Sequence, residues 1–352
     1  MSDRYEHRTR ELPAYLDPRG SGGYAPSHRS ASPGSRPHKR RGLKIGLSVV
    51  AALLLVIVGF GAYLDFNLKR QDVLADYAGR PSAAAGTNWL MIGSDSRSDL
   101  SAAQKQQLAT GDAAGSRTDT IMLLHIPDSG VPPTLVSLPR DTLVDVPGNG
   151  QQKLNATFSI GGPKLLIQTV EKLTNLRIDH YAEIGFAGFA GVVDAVGGVN
   201  ICVEQPIDDP NAGLTLAAGC QMLNGPQALG YVRTRATPRA DLDRIDHQRK
   251  FLSALLKKAT SVGSLINPFT SVPMALNLTN DITVDSGTHL WNLASMGLAI
   301  GGGGLITSTV PIGSTPTIDG IGSVVEWDTD KATQFFDALR NDQAIPKDLL
   351  SS

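Results

Sequence analysis

The sequence predicts an α/β fold: an α-β-α sandwich around a mixed β-sheet, preceded by one transmembrane helix. Three observations predict it. The run Ile45–Leu64 carries no charge and only Ser48 as a clearly polar residue. About 20 such residues span the roughly 30 Å hydrocarbon core of a bilayer as a helix. From Thr87 onward, short apolar runs of strand character alternate with stretches of helical spacing, as a layered α/β domain requires. Gly, Pro and Asn clusters punctuate the boundaries between them.

Residues 1–44 are rich in Arg, Ser, Pro, Gly and Tyr, show no apolar periodicity and read as a disordered cytoplasmic tail. Arg36, His38, Lys39, Arg40, Arg41 and Lys44 crowd the approach to the helix at 45–64. The positive-inside rule then leaves the rest of the chain outside, as a single-pass type II signal-anchor protein of the cell membrane. A cleaved signal peptide is the rival. The long preceding segment and the lack of an Ala-x-Ala-like site behind the run count against it. Residues 65–85 read as a juxtamembrane linker, 86–342 as the extracytoplasmic domain and 343–352 as a C-terminal tail.

Within the domain, Asn88–Ile92, Thr120–Ile126, Thr134–Ser137 behind Pro132-Pro133, Val199–Val203 and Ile306–Val310 read as strands. Ser98–Ala109 reads as an exposed helix or loop. Gly162–Leu173 carries helical spacing at Leu165, Leu166, Val170 and Leu173. Phe186–Val196, Gly225–Tyr231, Leu242–Thr260, Leu290–Ile300 and Asp330–Leu339 are the other helices, and Gly301–Gly304 a flexible hinge. There is no internal repeat. A net charge of -1 gives no nucleic-acid signature. The two cysteines, Cys202 and Cys220, flank a turn-rich segment that a loop-closing disulfide would staple in an oxidising compartment. Two buried thiols are the alternative.

The chemistry concentrates in Arg/Asp signatures: GSDSR (Gly93–Arg97), SRTDT (Ser116–Thr120), LPRDT (Leu138–Thr142), YVRTR (Tyr231–Arg235) and DLDR (Asp241–Arg244). Asp95 follows the first strand and Asp119 precedes the second. On neighbouring strands the two carboxylates would meet at one sheet edge, a typical way to hold Mg²⁺ beside phosphate oxygens and water. Simple turn and strand caps are the plainer reading. Arg117, Arg140, Arg233, Arg235 and Arg244 come from separated segments, and if they converge a diphosphate is the anion that suits them. Asp141 reads as a buttress for Arg140 or as a group orienting a sugar hydroxyl.

Read in order, GSDSR, RTDT, SLPRDT, KLNATFSIGG, DHYAEIGFAGFAGVVDAVGGV, LNGPQALGYVRTR and DLDRIDHQRKFL resemble the LytR-CpsA-Psr family of bacterial cell-wall glycopolymer transferases, over roughly Gly86 to Asp342. The resemblance implies a Mg²⁺-dependent phosphotransferase, with Mn²⁺ as the alternative ion. It would move a glycan phosphate from a polyprenyl-pyrophosphate carrier to the C6 hydroxyl of N-acetylmuramic acid in peptidoglycan. It also implies an apolar pocket for the polyprenyl tail, for which Leu165–Leu173 and Phe186–Val196 are candidate walls. The family's metal ligands fall on Asp95 and Asp119. Its pyrophosphate site falls on Arg117, Arg140, Arg233, Arg235 and Arg244 with Gln248 nearby. Arg140, Asp141, Arg233 and Arg235 carry the chemistry, and Arg97, Lys153 and Asn155 line the site. His247, a further candidate lining residue, stands where the family usually has Arg, which leaves open whether this edge grips the diphosphate less strongly or His247 serves at the acceptor side. An Ala- and Gly-rich chain suggests an actinobacterial source and arabinogalactan as the glycan. The alternatives are hydrolysis of polyprenyl diphosphate, and a regulatory membrane protein that binds lipid-linked glycan without turnover.

Overall fold

In the computed structural model, residues 38–95, 100–110, 118–237, 241–301 and 304–351 are described. Residues cluster into two units, Met1–Leu54 and Leu55–Ser352. The apolar run lies within a longer helix, α1 (His38–Asn67), of which Leu43–Asn67 is long and apolar enough to cross a bilayer.

The second unit is built on a seven-stranded sheet. In chain order its elements begin with β1 (Lys69–Gln71), β2 (Thr87–Ser94), α2 (Ala102–Gln107), β3 (Thr118–Ile126), β4 (Thr134–Ser137), the hairpin β5 (Leu143–Val146) and β6 (Gly150–Lys153), and α3 (Leu154–Thr174). Then come β7 (His180–Ile184), α4 (Phe186–Ala195), β8 (Val199–Val203), β9 (Ile207–Asp209), β10 (Leu214–Leu216), β11 (Gly219–Leu223), α5 (Gly225–Arg233) and α6 (Asp241–Ala259). The last are α7 (Val262–Ile266), α8 (Pro268–Asp281), β12 (Ile282–Asp285), α9 (Leu290–Gly301), β13 (Ile306–Thr309), short hairpin strands between Ile312 and Trp327, and α10 (Thr329–Arg340).

The sheet order is β1-β12-β7-β2-β3-β4-β13. β2 runs parallel to β7, and β4 parallel to β13, while β3 lies antiparallel between β2 and β4. The carboxyl ends of β2, β4, β7 and β13 therefore share one edge with the start of β3. Alternation sorts the side chains to two faces. Leu90, Ile92, Ile121, Leu123 and Val136 pack under α3 and α10 through Leu166, Val170, Phe335 and Leu339. Trp89, Met122, Leu124 and Leu135 pack under α9 through Leu293 and Ile300, with Leu252 of α6 and Leu278 of α8 beside them. A satellite core joins α4, α5 and α6 to β8 through β11.

Several expectations need correction. Of the juxtamembrane linker expected at 65–85, the first residues end α1, and the rest joins the domain: β1 pairs with β12, and Leu68 and Val73 are buried. Tyr77 and Arg80 both bond the fully buried Glu171 of α3. Of the expected tail at 343–352, residues 343–351 pack on the domain, since Ile345 and Leu349 are buried and Ser351 accepts from the Thr309 amide. The helix expected at Gly162–Leu173 is present as the second segment of α3, behind a break at Gly161-Gly162 where Gly162 has φ 66° and Pro163 follows; a first segment from Leu154 precedes it. Strands β7 and β12 were too short and mixed in polarity to read, and Pro268 and Pro273 masked α8. Within the expected hinge, Gly302 and Gly303 lie outside the described residues; Gly301 ends α9.

Candidate functional site

Beneath α4, α5 and α6, at the edge where β2 and β7 end, lies a cavity of about 280 Å³. Its walls are apolar: Met91 and Met122 from the sheet, Phe186 and Phe189 from α4, Leu229 and Val232 from α5, and Phe251 and Leu252 from α6. Arg233, Arg235, Arg244 and Gln248 join this lining. Three guanidiniums and a side-chain amide thus sit against an apolar hollow.

Local sequence explains each placement. Asn224 and Gln227 form a reciprocal capping box that starts α5. The helix ends at Thr234, whose hydroxyl donates to Asp209 at 2.7 Å while its amide donates to Gly230. Asp209 thereby fixes the turn from which Arg233 and Arg235 project. Burial tends to raise the Asp209 carboxyl, but hydrogen bonds from the Thr234 hydroxyl and from backbone amides hold it below the ordinary range. Arg233 lies 5.0 Å above the Phe186 ring and donates to the Leu108 and Ala109 carbonyls at the end of α2. Its planar fork therefore ties that helix to the pocket. Arg235 is exposed, and Arg244 is buried on the first turn of α6. Gln248, one turn later, donates to the Val232 carbonyl at 3.1 Å. Positions 244, 248, 251 and 252 all meet the cavity, as helical spacing requires.

A second charged group lies behind the carboxyl end of β4. Arg140 and Lys153 reach Asp141 at 3.2 and 3.1 Å. Burial tends to raise this carboxyl, but the two cations outweigh it and keep it below the usual carboxylate range. The Asn155 amide donates to the Arg140 carbonyl, so the KLN segment holds the loop by its backbone. Thr142 bonds Pro139 and receives the Trp327 indole N–H, closing the loop from the other side.

Asp95 is half-buried just past β2. Gly93 pairs with Thr120 and Ser94 with Thr118, so a bulge sets the Asp119 backbone beside the end of β2. Arg97 and Arg117 lie outside the described residues, as does the side chain of Asp119.

His247 does not join the arginines. Its ring stacks on Tyr231 at 4.3 Å, and it lines a separate cleft on the other side of α6 with Glu204, Asp246 and Lys250. One step along a helix turns a side chain by about 100°, so the neighbour of Gln248 faces away. Leu165–Leu173 does not line the cavity either; α3 packs on the opposite face of the sheet. Of the two candidate walls only the helix at Phe186 contributes. Asp209 and Phe186 were missed as site supports, although DD before a turn and an aromatic opening a helix are visible in the sequence. Cys202 and Cys220 face each other across β8 and β11 and form a disulfide.

The family described as LytR_cpsA_psr matches residues 67–341. The chain is 50% identical over 306 residues to a probable cell wall biosynthesis protein, LcpB, of Corynebacterium glutamicum, covering 87% of this chain and 72% of that one. It is 32% identical to a polyisoprenyl-teichoic acid–peptidoglycan teichoic acid transferase, TagU, of Enterococcus faecalis, covering 62% and 71% of the two chains. Among solved structures, a LytR-Csp2A-Psr enzyme from Actinomyces oris superposes with a TM-score of 0.60 at 24% identity, covering 79% of this chain and 96% of that one.

Proposed function

The chain belongs to the LytR-CpsA-Psr family and is a glycopolymer transferase of cell-wall biosynthesis; from that premise we propose that it moves a glycan phosphate from a polyprenyl-pyrophosphate carrier to a hydroxyl of peptidoglycan, the C6 hydroxyl of N-acetylmuramic acid. One observation carries the proposal: Arg233, Arg235, Arg244 and Gln248 line the same hollow as Met91, Met122, Phe189 and Phe251. A ligand matching that lining has a multiply charged head and an apolar tail, as a polyprenyl diphosphate has. Arabinogalactan is the glycan we favour, because the 50% identical relative is a corynebacterial wall-biosynthesis protein.

In the reaction, the acceptor hydroxyl oxygen attacks the phosphorus that bears the glycan. The anhydride P–O bond breaks, polyprenyl phosphate leaves with the electron pair, and the hydroxyl proton passes to solvent. Such transfers depend on positioning and charge neutralisation more than on a covalent protein intermediate. The arginines hold the diphosphate oxygens in planar forks and stabilise charge on the leaving phosphate. Arg117 is assigned to the same set. Arg140 is aimed by Asp141, which stays ionised between two cations and so acts as a positioning residue. Lys153 shares that role, and Asn155 holds the Arg140 loop by its backbone.

Asp95 and Asp119 suit Mg²⁺, or Mn²⁺ in its place. Among the described residues no three His, Cys, Asp or Glu side chains cluster as a complete cage. A pair of carboxylates leaves coordination positions for water and phosphate oxygens, which this hard ion prefers. Bound there, the ion would neutralise charge on the diphosphate. We place the domain outside the cell, anchored by α1. Incubating the full chain with lipid-linked glycan and peptidoglycan tests the proposal. A Mg²⁺-dependent phosphodiester product is expected, and release of free glycan phosphate without any transfer would favour hydrolysis instead.

A further inference from the structure

We propose that the outer face of α7, α8 and α9 docks on the surface of the lipid bilayer beside the end of α1. The proposal rests on the reading that α1 anchors the chain.

Charge distribution is the first observation. Residues 259–280 contain no Asp, Glu, Lys, Arg or His, and neither do residues 290–318. These stretches make up α7, nearly all of α8, and α9. Lys257 and Lys258 stand immediately before the first stretch. A solvated outer helix surface normally carries charge on its exposed face.

Exposure is the second. Val262, Ile266, Phe269, Trp291 and Leu298 are between 63% and 88% exposed. Trp291 and Leu298, at i and i+7, share one stripe of α9. Clustered large apolar side chains in water mark a surface with a partner.

Position selects the partner. The Asp65 carboxylate in the last turn of α1 accepts from the Leu290 amide at 2.8 Å and bonds His289 at 3.0 Å. Arg70 reaches Asp65 at 2.9 Å and the Thr288 carbonyl at 3.0 Å. The start of α9 is therefore pinned to the end of the anchor helix. Trp291 stacks on that same His289 at 4.1 Å, and Phe66 lies exposed beside the pin. At the other end of α9, Gly297 and Gly301 pack against Thr260, directly before α7. The uncharged patch thus starts at the anchor and continues to Phe269. Tryptophan beside the end of a membrane helix, followed by an uncharged apolar face with the exposed Lys257 at its border, is the chemistry of an interfacial surface. A bilayer fits this arrangement better than a second copy, because the pin holds the patch next to α1. Docking would also bring α6, which lines the apolar cavity through Phe251 and Leu252 and packs on α9, close to the source of a lipid substrate.

The test uses the full chain in phosphatidylcholine nanodiscs, with and without bromines on the acyl chains. A fluorophore is placed at Leu55→Cys, Phe269→Cys or Ser314→Cys, one at a time. Bromines are expected to quench the labels at 55 and 269 and spare the label at 314. Quenching at 55 with none at 269 overturns the docking and leaves the anchor intact. No quenching at 55 overturns the anchor and the docking with it. A label at 269 that is shielded from water but untouched by bromine means that protein covers the patch, and also overturns the proposal.

Discussion

Arg233, Arg235 and Arg244 do different work, although all are guanidiniums on one pocket. Arg233 is committed to the end of α2 and to the Phe186 ring. Arg235 is exposed, and Arg244 is buried at the first turn of α6. Replacing Arg235 or Arg244 by Ala should lower kcat/KM about ten- to a hundredfold, the weight of a charge-assisted hydrogen bond or two. Steady-state transfer assays check this; an unchanged ratio would remove that arginine from the diphosphate. Arg233→Ala should also loosen α2, which hydrogen exchange at Ala102–Gln107 would reveal. His247→Ala should leave transfer within about threefold, because the ring faces a different cleft. A loss matching that of Arg244→Ala would return the histidine to the site.

The site is assembled from element ends. The α5 capping box and its Thr234–Asp209 stop place one pair of arginines, and the register of α6 places Arg244 with Gln248. Close helix packing needs small residues. A Cβ on Gly188 of α4 would lie 2.6 Å from the Asp281 Cβ at the end of α8. Gly188→Ala should therefore cost about 1–3 kcal/mol, read as a lower Tm; an unchanged Tm would show that α8 yields freely. Converting Cys202 and Cys220 to Ser releases a loop with a sequence separation of 18, worth about 3 kcal/mol in the unfolded chain. Denaturant titration of the double variant measures it.

Much of this framework was legible in the sequence. The long amphipathic α6 and the apolar β2 and β3 carry strong periodic signals, and ordered motifs mark the loops at their ends. What escaped were elements that draw their stability from neighbours. Among them, β1 is three residues of Lys, Arg and Gln that form a strand because β12 lies beside them. The direction of His247 likewise depends on the exact start of a helix, which periodicity fixes only loosely.

The whole molecule should respond to pH in two steps. His125 lies buried at the end of β3, and burial lowers its pKa despite the pull of Asp342. A folded pKa below the ordinary 6.5 means that the unfolded chain takes up the proton first as pH falls. Stability is then complete above about pH 6.5 and declines below it. Asp141, Asp209, Asp285 and Asp342 are also lowered, so their contribution is present above 3.8 and lost beneath it. Asp179, raised by burial, works the other way. Tm measured between pH 7.5 and 5 should fall, and His125→Gln should flatten that slope. An identical slope would assign it elsewhere. Across the molecule, the sheet edge, the arginine cluster and the apolar hollow are the parts the proposed lipid-linked diphosphate would occupy. The direct measurement is a crystal structure of the protein soaked with polyprenyl diphosphate. The account predicts a tail between α4, α6 and the sheet, with the diphosphate against Arg235 and Arg244. A diphosphate bound elsewhere, or a tail outside this hollow, would contradict it.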